Sequence, residues 1–247
     1  MKKLLSSLLF ILPLSLLAQD SNQFKGTIPL TDTKGGTIRL EIPAGELSLK
    51  TGTTQLIDAN VNYNRTDWKP NMDFSKKNGM ADLTMTQKDI SNKSNSGENK
   101  WNISLNKNIP LNLYLKMGAG ETKLDLSNSH LETLDIEAGA VSCDVNLKGS
   151  SVKVVEIAAG VGELNLDMTG NWNHNVKVDI AGGIGEVNLK LPKNTGVKLN
   201  ASGLGSKNLN GFKKNGGYYQ NAAYGKSKHT LTINVSGGMG SINVVEG

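Results

Sequence analysis

Carboxylate side chains recur at a fixed spacing in this chain, and carboxylates can bind cations or act as an acid and base pair. Counted from a glycine that recurs about every 21 residues, the third following position carries an acidic or serine side chain. These residues are Glu121, Ser142, Glu163, Glu186 and Ser241. We interpret this row as the only acidic clustering in the repeats, and it predicts at most a weak cation site.

Two further positions after the same glycine alternate charged and amide side chains. The fifth position reads Lys123, Asp144, Asn165 and Asn188, and the seventh reads Asp125, Asn146, Asp167 and Lys190. Stacked amides and charges of this kind predict solvated ladders and give no reason for a raised carboxylate pKa. No catalytic pair is predicted there.

Glycine-rich segments imitate several cofactor motifs without completing them. GAGETK (residues 118–123) and GVGELN (residues 160–165) lack a third glycine and run into an alternating segment, so no helix N-terminus follows to hold a pyrophosphate. Tyr224–Ser227 resembles the end of a phosphate loop, but Gln220 stands where its first glycine belongs. Val187 occupies the position at which a calcium-binding repeat needs a carboxylate. We therefore predict no cofactor and no metal.

Histidine and cysteine give no stronger signal. His130, His174 and His229 are far apart in sequence, which is typical of isolated surface histidines. Cys143 falls in the inward phase of its repeat, which predicts a small buried side chain rather than a nucleophile. A single cysteine also excludes a disulfide within the chain. The sequence thus predicts no catalytic residue, and we expect a protein that is not an enzyme.

Aromatic residues in loops are the remaining candidates for a binding role. Trp172 lies between two repeats, and Tyr218, Tyr219 and Tyr224 lie in a late insertion. Loop aromatics often contact a partner or a glycan. An equally open alternative is that they cap an end of the fold.

The repeat itself indicates which elements must position these side chains. The recurring glycines are Gly118, Gly139, Gly160, Gly183 and Gly238, separated by 21, 21, 23 and 55 residues. The last interval contains a shortened repeat around Gly203 and Gly205 and an insertion from about residue 208 to 228. A fixed period of this length is typical of stacked architectures.

Alternating apolar residues flank each recurring glycine. The fifth and third positions before it and the fourth and sixth after it are apolar, with Thr122 the one polar member. Period-two alternation predicts strands with one buried face, and the glycine pairs predict a tight corner. We predict an all-β, single-domain β-solenoid with rungs of about 21 residues. An antiparallel β-meander that shares the same corners is the alternative.

The N-terminal region fits this scheme in part. Residues 37–50 alternate around Gly45 and are expected to join the same stack. Residues 63–110 break the period, and their polar stretch near 88–100 is predicted to be a loop. Residues 19–34 carry no clear pattern, and we assign them to no element.

The start of the chain has the features of a secretory signal peptide. Lys2 and Lys3 make the first residues basic, and an apolar run follows them. Ala18 is then a small residue directly before polar Gln19. We predict that residues 1–18 are removed between Ala18 and Gln19, and that residues 19–247 form the domain, with no membrane span after cleavage. We expect the product to be exported to the periplasm or cell surface. The formal net charge is +5 and the basic residues are scattered, which favours neither nucleic acid nor an anionic membrane as a partner.

Several segments resemble a known family. LIDANVNYNRTDWKP (residues 56–70), Trp101 and IPLNLYLKMGAGETKLDLSN (residues 109–128) closely resemble the toast-rack domain family of bacterial envelope proteins. Residues 211–244 are similar to the ending of the same family and to the C-terminal domains of cell-wall-antibiotic response proteins. The resemblance implies a β-solenoid outside the cytoplasmic membrane, with no established activity and no site residues to carry over. Val141 departs from the pattern, because other repeats have a second glycine there.

These observations favour an exported, non-catalytic cell-envelope protein that binds or scaffolds an envelope or surface component. Its ligand is not identified by the sequence. Adhesion to other cells or to matrix is the alternative function. A glycan-active enzyme is a third possibility, and it would require carboxylates that converge within about 5–10 Å in a groove.

Overall fold

The computed structural model describes residues 21–88 and 97–247, and nearly every regular element in them is a β-strand. The strands are β1 Asn22–Ile28, β2 Gly35–Thr53, β3 Ile57–Tyr63, β4 Asn71–Lys77, β5 Met80–Thr86, β6 Asn99–Asn106, β7 Leu111–Asp125, β8 Leu131–Asn146, β9 Val154–Asp167, β10 Val176–Leu191, β11 Gly196–Leu209, β12 Lys213–Asn215, β13 Tyr218–Gln220 and β14 Thr230–Glu246. They form one long sheet that does not close on itself. The predicted all-β class is confirmed. The predicted signal peptide and its cleavage site, and residues 89–96 of the predicted polar loop, lie outside the described residues.

The centre of the molecule is a parallel stack of long, bent strands. β2, β7, β8, β9, β10, β14 and β11 are hydrogen-bonded in that order, and all run in the same direction. Equivalent repeat positions pair directly, as Leu115 with Ile136 and Ile136 with Ile157 show. This register is that of a β-solenoid, so the predicted solenoid is confirmed.

The stack does not follow chain order at its C-terminal end. β14 lies between β10 and β11, so that Ile184 pairs with Met239 and Met239 pairs with Leu204. A physical reason is visible in β11, where the inward position of its second half carries exposed Lys207, while β14 carries buried Ile242. The strand with the charged inner position therefore occupies the end of the stack, where its lysine reaches solvent.

Close backbone approach explains the glycine corners. At Gly185 the backbone has φ +146°, and a Cβ would stand 1.8 Å from the carbonyl oxygen of Gly162 on the neighbouring strand. A Cβ on Gly183 would stand 2.2 Å from the carbonyl oxygen of Gly160. Neither position has room for a side chain. Val141 is the exception: its side chain is buried, and the ladder between β8 and β9 is interrupted there.

The N-terminal end is built differently, from antiparallel strands. The first half of β2 pairs with β5 and its second half with β6, so two short strands replace one bent strand. β4 then pairs with β5, and β3 and β1 extend the sheet beyond β6, all antiparallel. We call β1 and β3–β6 the N-terminal cap. It contains most of the region that breaks the period, and it places β1 in the stretch that the sequence left unassigned.

Buried amides fasten this cap to the stack. The Asn99 side-chain amide donates to the Ala44 carbonyl at 2.5 Å and to Gln87 Oε1 at 2.6 Å. Gln87 returns a hydrogen bond to Asn99 Oδ1 at 3.1 Å and donates to the Trp68 carbonyl. The Trp101 indole N–H also donates to Asn99 Oδ1, at 3.1 Å. Each of these buried polar groups therefore has a partner inside the cap.

Inward side chains of the stack form one hydrophobic core. Ile136, Ile157 and Ile180 are all nearly inaccessible to solvent, as the predicted phase requires. Thr122 is also buried and directs its hydroxyl at Met117 Sδ, 2.7 Å away. Cys143 is buried, and burial raises the pKa of its thiol to about 12, with a smaller contribution from Asp144. A thiol with this pKa carries almost no thiolate at neutral pH.

Candidate functional site: a surface at the solenoid corner

Trp172, the first predicted partner-binding residue, is buried in the loop between β9 and β10. Only 5% of it is exposed, and its indole N–H donates to the Met168 carbonyl at 2.8 Å. Its ring stands edge-on to His174, with 5.6 Å between the ring centroids. Trp172 therefore packs inside the stack, where it neither offers an exposed ring to a partner nor caps an end of the fold.

The three predicted tyrosines lie at the C-terminal end of the stack, next to β11. Tyr218 and Tyr224 meet edge-to-face at 5.9 Å, and Lys198 Nζ lies 4.6 Å from the centroid of the Tyr218 ring. Tyr219 packs against the core and lies on β13, which pairs with the first half of β11. Tyr218 and Tyr224 are partly exposed and stay candidates for a partner contact.

The predicted amide ladder is present on the outer face beyond the corner. Asn165 donates to Asp144 at 2.8 Å, Asn188 donates to Asn165 at 2.9 Å, and Asn243 donates to Asn188 at 2.8 Å. Asn208 adds a further bond to Asn243 at 2.8 Å. All four bonds point the same way and end on the Asp144 carboxylate.

The predicted glutamate row is tied to this ladder. Glu163 accepts from Asn165 at 3.0 Å, and Glu186 accepts from Asn243 at 2.5 Å. Among residues 21–88 and 97–247, no group of three or more His, Cys, Asp or Glu side chains is arranged to hold a metal ion. The row thus provides exposed negative charge whose oxygens already accept hydrogen bonds from asparagine.

The expectation that this row is the only acidic clustering is wrong. Asp135, Glu156 and Asp179 pair directly across β8, β9 and β10, four residues before the recurring glycine. The prediction from sequence considered charged residues only at positions after the glycine. It therefore missed a row of carboxylates in the half of each strand that precedes the glycine. We call these three residues the acidic column.

The members of the acidic column have different environments. Burial raises the pKa of Asp135, and the neighbouring charges of Glu156 and Glu137 raise it further. The pKa of Asp179 is lowered, chiefly because it accepts a hydrogen bond from Lys177 and a second from Asn234. Lys177 Nζ lies 2.6 Å from one Asp179 oxygen, and Asn234 donates to the other at 2.7 Å.

A ridge of exposed apolar side chains runs along the corner of the stack. Val161, Ile184, Met239 and Leu204 are 51%, 53%, 58% and 75% exposed, and they pair in register on β9, β10, β14 and β11. We call these four residues the corner ridge. Sequence reasoning missed it, although a signal exists: the residue between the two corner glycines is Ala119 in an earlier repeat and becomes large in later ones.

A shallow groove crosses β2, β7, β8, β9 and β10 on the side of the acidic column, and it meets the strands of the corner ridge only at β9 and β10. Its volume is about 900 Å³, and its floor is formed largely by small residues, among them Ala158, Gly160, Ala181 and Gly183. The groove continues into a second depression of about 450 Å³ that the acidic column lines. Along β9 and β10 the outer surface therefore presents, in order, acidic column, small apolar floor, corner ridge and glutamate row.

An in-register parallel stack bent at glycine corners defines the class of β-solenoid proteins. A family model described as the N-terminal domain of toast_rack, DUF2154, matches residues 17–156 and, a second time, residues 139–190. The first match alone covers more than half of the chain, and the chain belongs to this family. The match ends before the C-terminal segment that resembles cell-wall-antibiotic response proteins, and that second resemblance has no support from it.

The chain is also similar to solved structures. The crystal structure of a candidate cell adhesion protein from Clostridium sporogenes ATCC 15579 is 29% identical, with a TM-score of 0.72 over 92% of this chain and 100% of that one. A candidate adhesin from Bacteroides fragilis NCTC 9343 is 13% identical, with a TM-score of 0.42 over 91% of this chain and 98% of that one, which is too low to support an argument. No curated protein matches the chain at a significant level.

Proposed function

We propose that this chain is an exported, non-catalytic binding module of the bacterial cell envelope, and that it holds an envelope or surface component through the corner ridge. The main observation that supports this proposal is the row of four exposed apolar side chains on neighbouring strands. Contiguous exposed apolar surface is unusual on a soluble protein and is typical of interaction sites. The site is a binding surface, and we assign no chemistry to it.

Energetics favour a binding role for the ridge. Full burial of a Val, Leu, Ile or Met side chain contributes about 1.5–3 kcal/mol, and these four are half to three-quarters exposed. Covering them would therefore contribute several kcal/mol to a complex. The backbone beneath them is fixed by ladder hydrogen bonds on both sides for three of the four strands, so little conformational entropy is lost on binding.

Two of the carboxylates, Asp179 and Glu163, are engaged in ways that disfavour a role in a glycan-active enzyme. Such an enzyme needs one carboxylate free to accept a proton or attack the substrate. In the acidic column, both oxygens of Asp179 are engaged by Lys177 and Asn234, and Glu163 in the other row is bonded to Asn165. Salt-bridged and amide-bonded carboxylates of this kind are suited to display charge rather than to transfer protons.

Adhesion is the form of binding that one similar solved structure favours. That protein, 29% identical over nearly the whole chain, is described as a candidate cell adhesion protein. The predicted signal peptide agrees with a position outside the cytoplasm. Within the described parts of the chain, no helix has the length and apolar character to cross a membrane.

The test is binding of purified protein, residues 19–247, to the isolated envelope fraction of the bacterium that produces it. The variant Ile184→Ser with Met239→Ser removes the centre of the ridge. The matched control, Phe74→Ser with Met80→Ser, removes two exposed apolar side chains in the N-terminal cap. We expect at least a tenfold loss of affinity for the ridge variant and less than a twofold change for the control. Equal binding by both folded variants would contradict the proposal.

A further inference from the structure

We propose, building on the proposed function, that the corner ridge and its groove dock a polypeptide segment whose apolar side chains are flanked on both sides by lysine or arginine. The occupant is a cationic, amphipathic segment of a partner protein and not an anionic lipid surface. The proposal rests on the order of charged and apolar rows across the corner.

Acidic residues flank the corner ridge on both sides on β9 and β10, while the equivalent positions on β14 are Asn234 and Ser241. On β10, Asp179 lies five residues before Ile184 and Glu186 lies two residues after it. At about 3.3 Å per residue, the two rows lie roughly 16 Å and 7 Å along the strand from the ridge. Glu156 and Glu163 hold the equivalent places around Val161 on β9. A segment lying along the ridge would therefore meet negative charge at both edges where it covers Val161 and Ile184, and amide and hydroxyl groups where it covers Met239 and Leu204.

The negative charge at the corner comes from the positions of these few acidic residues, because the whole chain has a formal net charge of +5. Two lysines near the acidic column are paired with carboxylates, whereas exposed Lys207 on β11 places a positive charge three residues after Leu204. Lys116 lies 3.4 Å from Glu137, and Lys177 lies 2.6 Å from Asp179. Glu156, Glu163 and Glu186 stay available to cationic groups of a partner.

Repulsion within the acidic column favours a cationic occupant. The pKa of Asp135 is raised by its burial and by the charges of Glu156 and Glu137. A lysine or arginine placed over these carboxylates would relieve that repulsion. The phosphates of an anionic membrane would increase it, so the same rows that attract a basic polypeptide disfavour a lipid surface.

The dimensions suit an extended segment. Four neighbouring strands about 4.8 Å apart give the ridge a length of roughly 14 Å, which corresponds to about five residues of extended chain. The groove of about 900 Å³ meets the ridge at β9 and β10, where Gly160, Ala158, Gly183 and Ala181 let apolar side chains lie close to the backbone. Apolar side chains would contact ridge and groove, and basic side chains would reach the acidic rows.

The experiment measures fluorescence anisotropy of labelled twelve-residue peptides with the purified domain, residues 19–247. The peptides are six repeats of Lys-Val, six of Glu-Val and six of Lys-Ser. We expect the Lys-Val peptide to bind at least tenfold more tightly than the other two, and its affinity to fall as salt is raised. Binding of the Glu-Val peptide with equal affinity, or binding to phosphatidylglycerol vesicles in its place, would overturn the proposal.

Matched variants separate specific docking from general charge attraction. The variant Glu156→Gln, Glu163→Gln and Glu186→Gln should lose at least tenfold in affinity for the Lys-Val peptide and most of its salt dependence. The control Asp82→Asn, Glu98→Gln and Glu132→Gln removes the same charge from sites away from the corner and should change affinity less than twofold. An equal loss in both variants would show nonspecific attraction and overturn the proposal.

The two proposals fail in different ways. If the ridge variant Ile184→Ser with Met239→Ser loses binding to the envelope fraction but no basic peptide binds the wild type, the cationic partner is wrong and the ridge keeps its function. If that variant binds the envelope fraction as well as wild type does, the proposed function is wrong.

Discussion

The parallel stack and the N-terminal cap are parts of one sheet, but different interactions hold them together. In the stack, each strand repeats the contacts of its neighbour, as the bonds from Asn188 to Asn165 and from Asn165 to Asp144 illustrate. In the cap, each contact occurs once, and the amide pair of Asn99 and Gln87 has no equivalent in the repeats. The difference teaches that periodic contacts can be inferred from sequence spacing, while a single long-range contact leaves no such signal.

The same comparison explains where function can vary. Inward positions of the stack must stay apolar because each packs on both neighbours. Outward corner positions have no such constraint, so alanine in early strands can be replaced by Val161, Ile184 and Met239 in later ones without loss of the fold. The proposed binding surface therefore forms where the side chains at one outward position become larger in the later strands.

The largest expected effect comes from a substitution that disrupts the hydrophobic core of the stack. Leu166 is 2% exposed, and Leu166→Asp removes a contribution of about 1.5–3 kcal/mol and buries a carboxylate without a partner. We expect a loss close to the whole stability of a typical domain, about 5–15 kcal/mol. The adjacent Asp167 accepts hydrogen bonds from the Thr169 amide and hydroxyl, so Asp167→Ala should cost about 1 kcal/mol. Denaturant unfolding of both variants measures this, and a larger loss for Asp167→Ala would reverse the assigned phases.

The next effect tests the corner. Gly185→Ala places a Cβ 1.8 Å from the Gly162 carbonyl oxygen at φ +146°, and should cost at least about 2 kcal/mol. Gly182 is the control, because the nearest atom to an added Cβ is Val187 Cγ2 at 4.0 Å and its partner on β9 is already Ala159. Gly182→Ala should leave thermal stability unchanged or raise it by about 0.5 kcal/mol. A similar melting temperature for both variants would refute close backbone stacking at the corner.

A third prediction tests the cap. Asn99→Ala removes the partners of Gln87, Trp101 and the Ala44 carbonyl inside a buried region, and should cost about 2–3 kcal/mol. Exposed Asn102, three residues further on, should tolerate alanine with a change of less than about 0.5 kcal/mol. Equal unfolding free energies for the two variants would show that the amide network does not hold the cap.

The smallest effect concerns the acidic column. The folded pKa of Asp135 is raised, so its charged form lowers stability at neutral pH and this cost disappears as pH falls through the folded pKa. Asp135→Asn should therefore raise the unfolding free energy by about 0.5 kcal/mol at pH 7, with the advantage shrinking in acid. Unfolding curves at pH 7 and pH 4 test the sign. An advantage that grows in acid would contradict the assigned cause.

Much of the stack could be predicted from the sequence, because each inward column repeats. The strand class, the corner glycines, the burial of Cys143 and the asparagine ladder all follow from the period. The insertion of β14 beside β10 could not be predicted, since repeats with similar apolar faces can stack in either order. Lys207 at an inward position was the one sequence hint that β11 lies at the end.

The candidate surface was missed for a different physical reason. Pattern reading selects residues that recur, and Val161 and Leu204 differ from each other and from the alanines that precede them. Two short strands, β5 and β6, take the place of a single long neighbour of β2. The sequence did not predict this arrangement, because residues 63–110 lack the repeat period. Trp172 and the tyrosines were found by residue type alone, and residue type does not report burial.

The order of β10, β14 and β11 is central to the account, because it decides which ridge residues are neighbours and places Lys207 at the end of the stack. Ala181 pairs with Ser236 on β14, and Ser236 pairs with Ser202 on β11, so residues 181 and 202 are two strands apart. Under mild oxidation, with buried Cys143 retained, the pair Ala181→Cys and Ser236→Cys should form a disulfide, while the pair Ala181→Cys and Ser202→Cys should stay reduced. A disulfide between positions 181 and 202, with none between 181 and 236, would place β11 against β10 and contradict the account.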